Sequence, residues 1–308
     1  MRVALLFPGQ GSQTPGFLGR LPRHPAVSAT LTEAQTILKR DLEEIDGAQA
    51  LQSTAAVQLG TLIAGVAVSR ALAAEGFAAD AVAGLSVGAF AAAVACGALR
   101  FEDALEVVRL RGEAMAQSAP AGFGMAAILG LPERGVLELV ARVSERVPLY
   151  LASINAPTEI VVSGADAALA RAAEEARARG AAIRLLKVSI PSHCPVMDGV
   201  SVRLRAALAG VSLKTPRMPY VSNHRARVAL SAAEVAEDLI LNVSRPVRWH
   251  DSMRLLYELG CRVYVESPPG QVLSRLLEAS FSDCRAVALE DTPLESAVRL
   301  AQAQPSDA

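Results

Sequence analysis

The sequence predicts an α/β fold, a mainly parallel sheet between helices, interrupted by a smaller inserted unit. Three observations lead there. Strand-like and helical segments alternate along most of the 308 residues, the order that builds a parallel sheet. A tight junction, Gly84-Leu85-Ser86-Val87-Gly88, closes a short apolar strand and opens an Ala-rich helix. Midway, the order changes to β-α-β-β-α-β, which is a ferredoxin-like unit.

Taken in order, Val3–Phe7 is an apolar run stopped by Pro8 and reads as a first strand. Thr54–Glu75 is apolar around most of its circumference and predicts a buried helix. Asp80–Gly84 is a short buried strand, Val87–Gly97 a helix, and Phe101–Gln117 another helix. Gly122-Phe123-Gly124 is a flexible break. Beyond it come a strand at Met125–Leu129, a helix at Pro132–Val143, and strands at Leu149–Ile154 and Glu159–Ser163. A charged helix at Ala165–Arg179 and a closing strand at Ala182–Ser189 complete the inserted unit. The α/β pattern resumes after Pro191, with a strand near Met218–Ser222, a helix near Ala232–Leu241 and a strand at Arg262–Glu266. The expected division is an α/β-hydrolase-like large domain (1–122 and 190–290), a ferredoxin-like small domain (123–189), and a polar tail (291–308) that frays.

Composition narrows the function classes. The chain is 52% hydrophobic but 4% aromatic, so its core is built from Ala, Val and Leu. A net charge of −1 argues against electrostatic capture of nucleic acid or an anionic membrane. No apolar run is read as reaching the roughly 18 uncharged residues of a membrane span, and the apolar start is too short for a signal peptide. Cys96, Cys194, Cys261 and Cys284 are scattered, which predicts neither a zinc site nor a disulfide framework. A soluble cytoplasmic protein without a metal is expected.

Ser86 stands in a G-x-S-x-G nucleophile elbow. Gly84 and Gly88 remove side chains that would collide at so sharp a turn. The hydroxyl is thereby left at the carboxyl end of a strand, beside a helix N-terminus. The plainer reading is a tight turn with a solvated serine; the strand–turn–helix context favours the nucleophile. Its base must come from His24, His193, His224 or His250. His24 lies between prolines in a loop, His224 on a polar turn, and His250 at a helix start. His193, in Ser189-Ile190-Pro191-Ser192-His193-Cys194-Pro195, is held by two prolines where the chain re-enters the large domain. A cleft between domains is the usual place for a small-molecule site, which favours His193 as base over a hinge residue without chemistry. No acidic third member stands out. The Gly-rich turn Pro8-Gly9-Gln10-Gly11-Ser12 can aim a backbone N–H into a cavity and, with the Val87 N–H, form an oxyanion hole. A phosphate loop is the rival, but its Lys-[Ser/Thr] spacing is absent. Arg111, from pattern alone, is a solvated or salt-bridged helix residue.

Together these residues resemble a family. Phe7-Pro8-Gly9-Gln10-Gly11-Ser12-Gln13, the Ser86 elbow, Arg111-Gly112-Glu113-Ala114-Met115, Pro191-Ser192-His193-Cys194 and Asn242–Trp249 occur in the order found in malonyl-CoA:acyl carrier protein transacylases. The resemblance spans about residues 1–290. It implies a ping-pong transfer with malonyl-CoA as substrate and no permanently bound cofactor. Ser86 would form a malonyl ester, His193 relay the proton, and a phosphopantetheine-type arm on a carrier protein accept the group. It further implies that Gln10 and Val87 supply the oxyanion-hole amides and that Arg111 grips the malonyl carboxylate. The Asn242 backbone carbonyl would orient His193, which accounts for the missing acid.

Departures refine the resemblance. Leu85 replaces the histidine usual before the serine, Thr54 stands where a glutamine is common, and Asn242 where another is usual. Leu85-Ser86-Val87-Gly88-Ala89 resembles the branch formed by the epsilon subunit of malonate decarboxylase, whose partner is that enzyme's own carrier subunit. On this reading malonate decarboxylase's carrier is the expected acceptor, and the fatty-acid carrier the alternative. A serine thioesterase and a non-catalytic interaction subunit are rivals from other classes; the Arg111 match and the joint presence of Ser86 and His193 weigh against them. Arg171, Arg177, Arg179, Arg184 and Lys187 form a basic set that would suit an acidic carrier, or more plainly a solvated face.

Overall fold

The computed structural model describes residues 1–303 other than Lys187 and Ser189. Its strands, in chain order, are β1 (Arg2–Phe7), β2 (Ala81–Gly84), β3 (Phe123–Leu129), β4 (Leu149–Ala156), β5 (Glu159–Ala165), β6 (Ala182–Leu185), β7 (Tyr220–Val221), β8 (Val228–Ala229), β9 (Cys261–Glu266) and β10 (Arg285–Ala288). The larger sheet has the order β10-β9-β1-β2-β7-β8. Strands β10, β9, β1, β2 and β7 run parallel, and β8 closes the edge antiparallel to β7. β1 is central because Val3–Phe7 is buried on both faces, as a strand covered on both sides by helices must be.

The smaller sheet, β4-β5-β3-β6, is wholly antiparallel. Helices at Glu133–Ser144 and Asp166–Ala178 lay Val136, Leu139, Leu169 and Ala172 on one face of it. This is the expected ferredoxin-like insertion. It is stitched to the larger unit where Ile154 N–H donates to the Val247 carbonyl at 2.8 Å and Val247 N–H to the Ala152 carbonyl at 2.9 Å.

The Thr54–Ala74 helix, whose uncharged stretch is interrupted by Arg70, is nonetheless long and apolar enough, by length and composition, to cross a membrane. Most of it is instead buried, packed against the elbow helix Gly88–Ala95 and the Phe101–Ser118 helix in the main core. The tail does not fray from residue 291. Leu294, Ala297 and Val298, spaced at one helical turn, bury one face of a Leu294–Gln302 helix; residues 304–308 lie outside the described residues. The closing strand of the insertion is β6, ending at Leu185, and the Lys187 and Ser189 end of the expected strand also falls outside the described residues.

Candidate active site

Parallel pairing of β1 with β2 sets Phe7 opposite Gly84, so the loops leaving both strands emerge side by side. One is the Gly-rich turn of Gln10; the other is the elbow. Ser86 has φ +55°, a left-handed conformation unusual for a residue with a side chain. A Cβ on Gly84 would stand 2.2 Å from the Gly88 carbonyl group, and one on Gly88 2.2 Å from the Phe7 carbonyl oxygen. Both positions therefore admit glycine alone. The helix Gly88–Ala95 starts immediately afterwards.

His193 is also left-handed, at φ +60°, and its N–H donates to the Val243 carbonyl at 2.7 Å. Its Nδ1 hydrogen-bonds the Asn242 carbonyl. A carbonyl only accepts, so Nδ1 carries the proton and Nε2 is the acceptor. Burial, then the nearby Arg111 charge, holds the imidazole down to about 4, against the upward pull of the Asn242 and Arg245 backbone groups. It is neutral at pH 7 and able to take a proton.

Arg111 is 1% exposed. Nη1 donates to Gln58 Oε1 at 2.5 Å, and Nη2 to Ser86 Oγ at 3.2 Å and to Asn242 Oδ1 at 3.4 Å. Nε is buried without a partner. Among the described residues no carboxylate forms an ion pair with it. Burial pushes the guanidinium down to about 9, still protonated at neutral pH. A buried cation with neutral partners only is unfavourable by itself and is poised to receive an anion.

These groups face one cavity of about 290 Å³ between the two sheets, lined by Gln10, Ser86, Arg111 and His193 from the large unit and by Asn155 and Val161 from the small one. The N–H groups of Gln10 and Val87 donate to no acceptor among the described residues. Gln10 is held by its side chain, whose Oε1 accepts from Thr54 Oγ1 at 3.1 Å. The other histidines lie apart from the cavity. His24 caps the Pro25–Leu38 helix, His224 hydrogen-bonds Asp238 at 3.0 Å, and His250 stacks on Phe281. Of the basic set, Arg184 lines the cavity while Arg179 faces Glu138 and Glu175; Lys187 is outside the described residues.

Three site residues escaped the sequence reading. Gln58, one turn after Thr54 on the same helix, meets Arg111, and Thr54 bridges Gln58 Nε2 and Gln10. The place of Gln58 as the one amide side chain within the largely apolar run Ala55–Ala67 was the available signal. Asn223 and Asp238 support the elbow from behind, and a polar turn followed by a mixed helix carries no comparable sign. Asn242 does more than expected: beyond its carbonyl, Oδ1 accepts from Arg111 and Nδ2 donates to the Ser86 carbonyl at 3.3 Å.

The model of the acyl transferase domain family matches residues 4–303. The chain belongs to that family. The acyltransferase is 35% identical over 297 residues, 94% of each chain, to the malonyl CoA-acyl carrier protein transacylase of Bacillus subtilis. Its fold superimposes on the acyl-carrier-protein S-malonyltransferase of Burkholderia pseudomallei with a TM-score of 0.92, at 34% identity, covering 97% of this chain and 100% of the other. A malonyl-transacylase solved in complex with a type II polyketide synthase acyl-carrier protein matches with a TM-score of 0.91 at 30% identity, over 97% and 100% of the two chains.

Proposed function

We propose that this acyltransferase moves a malonyl group from coenzyme A to the thiol of a carrier protein's phosphopantetheine-type arm, through an ester on Ser86. The observation that carries this reading is the buried Arg111 with neutral partners only, 3.2 Å from the serine hydroxyl. A guanidinium fork binds a carboxylate bidentately. Its nearness to Oγ fits a short diacid, in which one methylene separates the carboxylate from the acyl carbon.

The shared cavity of Ser86, His193 and Arg111 supports the following steps. Ser86 Oγ attacks the thioester carbonyl as His193 Nε2 takes its proton. The Gln10 and Val87 N–H groups receive the oxyanion. Collapse breaks the carbon–sulfur bond, and the departing thiolate takes the proton from His193. The carrier thiol then passes its proton to His193, attacks the ester, and Ser86 leaves reprotonated. The Asn242 carbonyl does the orienting that an aspartate does in other serine enzymes. A thioesterase for neutral acyl chains would gain nothing from the buried cation.

The transacylases cited above, matched over nearly their full length, support an acyl carrier protein of the biosynthetic type as acceptor. A second reading is the carrier subunit of malonate decarboxylase, favoured by Leu85, an apolar residue lining the cavity next to the nucleophile. Incubation with malonyl-CoA should add one malonyl group to the Ser86 peptide, read by mass spectrometry, and Ser86→Ala should abolish it. Persistent labelling of that variant removes the proposal. Offering both carriers to the same malonyl-enzyme decides the acceptor: a tenfold preference, about 1.4 kcal/mol at the transition state, assigns it to one branch.

A further inference from the structure

We propose that Asp238 is a positioning residue for acyl transfer, acting through the Asn223 side chain on the strained Ser86 backbone. This rests on Ser86 being the nucleophile, and it adds a support behind the site that the transfer chemistry itself does not require to be there.

The chain of contacts is fixed at each link by donor and acceptor identity. Ser86 N–H, a donor only, bonds Asn223 Oδ1 at 2.9 Å. The Gly84 carbonyl, an acceptor only, receives Asn223 Nδ2 at 2.9 Å. One carboxamide thus spans the elbow from the residue two before the serine to the serine itself, and only in one orientation. Asp238 sets that orientation. Its Oδ2 lies 3.3 Å from Asn223 Nδ2 and its Oδ1 accepts the Asn223 N–H at 2.7 Å. The same carboxylate receives Tyr220 Oη–H at 2.7 Å and approaches His224 Nδ1 at 3.0 Å. Asp238, Tyr220 and Asn223 are buried. A buried carboxylate with that many donors aimed at it is a rigid anchor.

The helix that carries Asp238, Ala232–Leu241, ends at Asn242. Asn242 holds the His193 imidazole by its carbonyl and touches Arg111 and the Ser86 carbonyl with its side chain. The helix therefore grips the elbow at one turn and the base one turn later. Nucleophile and base come from segments far apart in sequence, and this helix is the element bonded to both. What it controls is the φ +55° backbone of Ser86, hence the aim of Oγ and of the following Val87 N–H. Transition-state geometry responds to such small displacements more than substrate binding does.

The test uses the full-length enzyme, with active sites counted by the burst of malonyl-Ser86 formed from malonyl-CoA. Asn223→Asp is isosteric, but its side chain offers no donor to the Gly84 carbonyl or to Asp238. Its kcat per titrated site should fall about 10²-fold, with KM for malonyl-CoA within threefold and the malonyl-over-acetyl preference kept, since Arg111 is untouched. Asp238→Asn should lower kcat about tenfold. Combining the two returns a donor to the new carboxylate and should recover part of the loss. If Asn223→Asp does not fold, Asp238→Asn and Tyr220→Phe decide, the latter removing one donor that orients the carboxylate. Unchanged kcat per titrated site in the folded variants, with only burst amplitude or thermal stability reduced, would make the network purely structural and overturn the proposal. Labelling that survives Ser86→Ala would instead show that the nucleophile was misassigned.

Discussion

Replacing Arg111 with alanine should convert a malonyl-selective enzyme into one that no longer distinguishes malonyl from acetyl. The magnitude follows from the burial. Holding the guanidinium at about 9 instead of its ordinary 12.5 corresponds to about 5 kcal/mol of unfavourable charge burial. Gln58, Ser86 and Asn242 offset part of this with neutral hydrogen bonds. A carboxylate on the fork adds two charge-assisted bonds, each about 1.5–3 kcal/mol. Allowing for desolvation of the carboxylate, about 3–4 kcal/mol reaches the transition state, or 10² to 10³ in rate. Malonyl loading in Arg111→Ala should fall by that factor in kcat/KM, while acetyl loading holds or rises because the uncompensated cation is gone. Arg111→Lys keeps the charge without the fork and should fall between the two. Rapid-quench measurement of acyl-enzyme formation from both thioesters gives the ratios, and circular dichroism confirms that the variants are folded. A selectivity ratio changed by less than tenfold in Arg111→Ala would place the carboxylate clamp elsewhere.

Other outcomes follow from the same groups. His193→Ala should reduce transfer by about 10² to 10⁴, and in the intact enzyme the acidic limb of kcat/KM should lie near pH 4, where burial and Arg111 hold the imidazole. In Arg111→Ala that limb should move towards the ordinary 6.5, because one of the two depressing causes is removed; a limb that stays put refutes the coupling. Stability shares the sign: the unfolded chain binds the His193 proton at 6.5 and the folded one only near 4. Stability is therefore full above pH 6.5 and falls by about 3 kcal/mol as pH drops to 4. His193→Gln should flatten this part of the denaturation profile relative to the wild type. Asn242→Asp should place a carboxylate beside Arg111, raising KM for malonyl-CoA and eroding selectivity, read in the same loading assay.

The legible part of this molecule is the part written in local pattern. β1 and the Thr54–Ala74 helix are continuous apolar runs, and the elbow needs glycines where any Cβ would strike backbone at 2.2 Å. The inserted unit was visible from its element order alone. Short edge strands were not: β8 and β10 have two and four residues and gain their identity from neighbours distant in sequence. The Leu294–Gln302 helix carried a three-residue apolar stripe that its polar surroundings concealed. The site divides the same way. Ser86 and His193 announce themselves through glycines and prolines that shape the backbone. Arg111, by contrast, looks like a surface residue of its helix until the fold shows that, among the described residues, its hydrogen-bond partners are all neutral. Gln58, Asn223 and Asp238 reach Arg111 and the elbow across contacts more than a dozen residues long in sequence.

On the proposed function, the missing acid of the Ser86–His193 pair and the selectivity for an acidic acyl group are two sides of one constraint. His193 needs an acceptor at Nδ1, and in many serine enzymes an aspartate provides it. Here that acceptor belongs to Asn242, whose side-chain oxygen is 3.4 Å from Arg111. A carboxylate in that neighbourhood would orient the imidazole well, but it would also pair with the guanidinium and fill the place the malonyl group must take. It would raise the His193 proton affinity as well, opposing the burial and the Arg111 charge that keep the imidazole neutral. A backbone carbonyl orients the ring without a net charge. On the proposed mechanism it leaves the cation free for substrate, and the substrate's own carboxylate then completes the electrostatics that an internal acid would have spoiled.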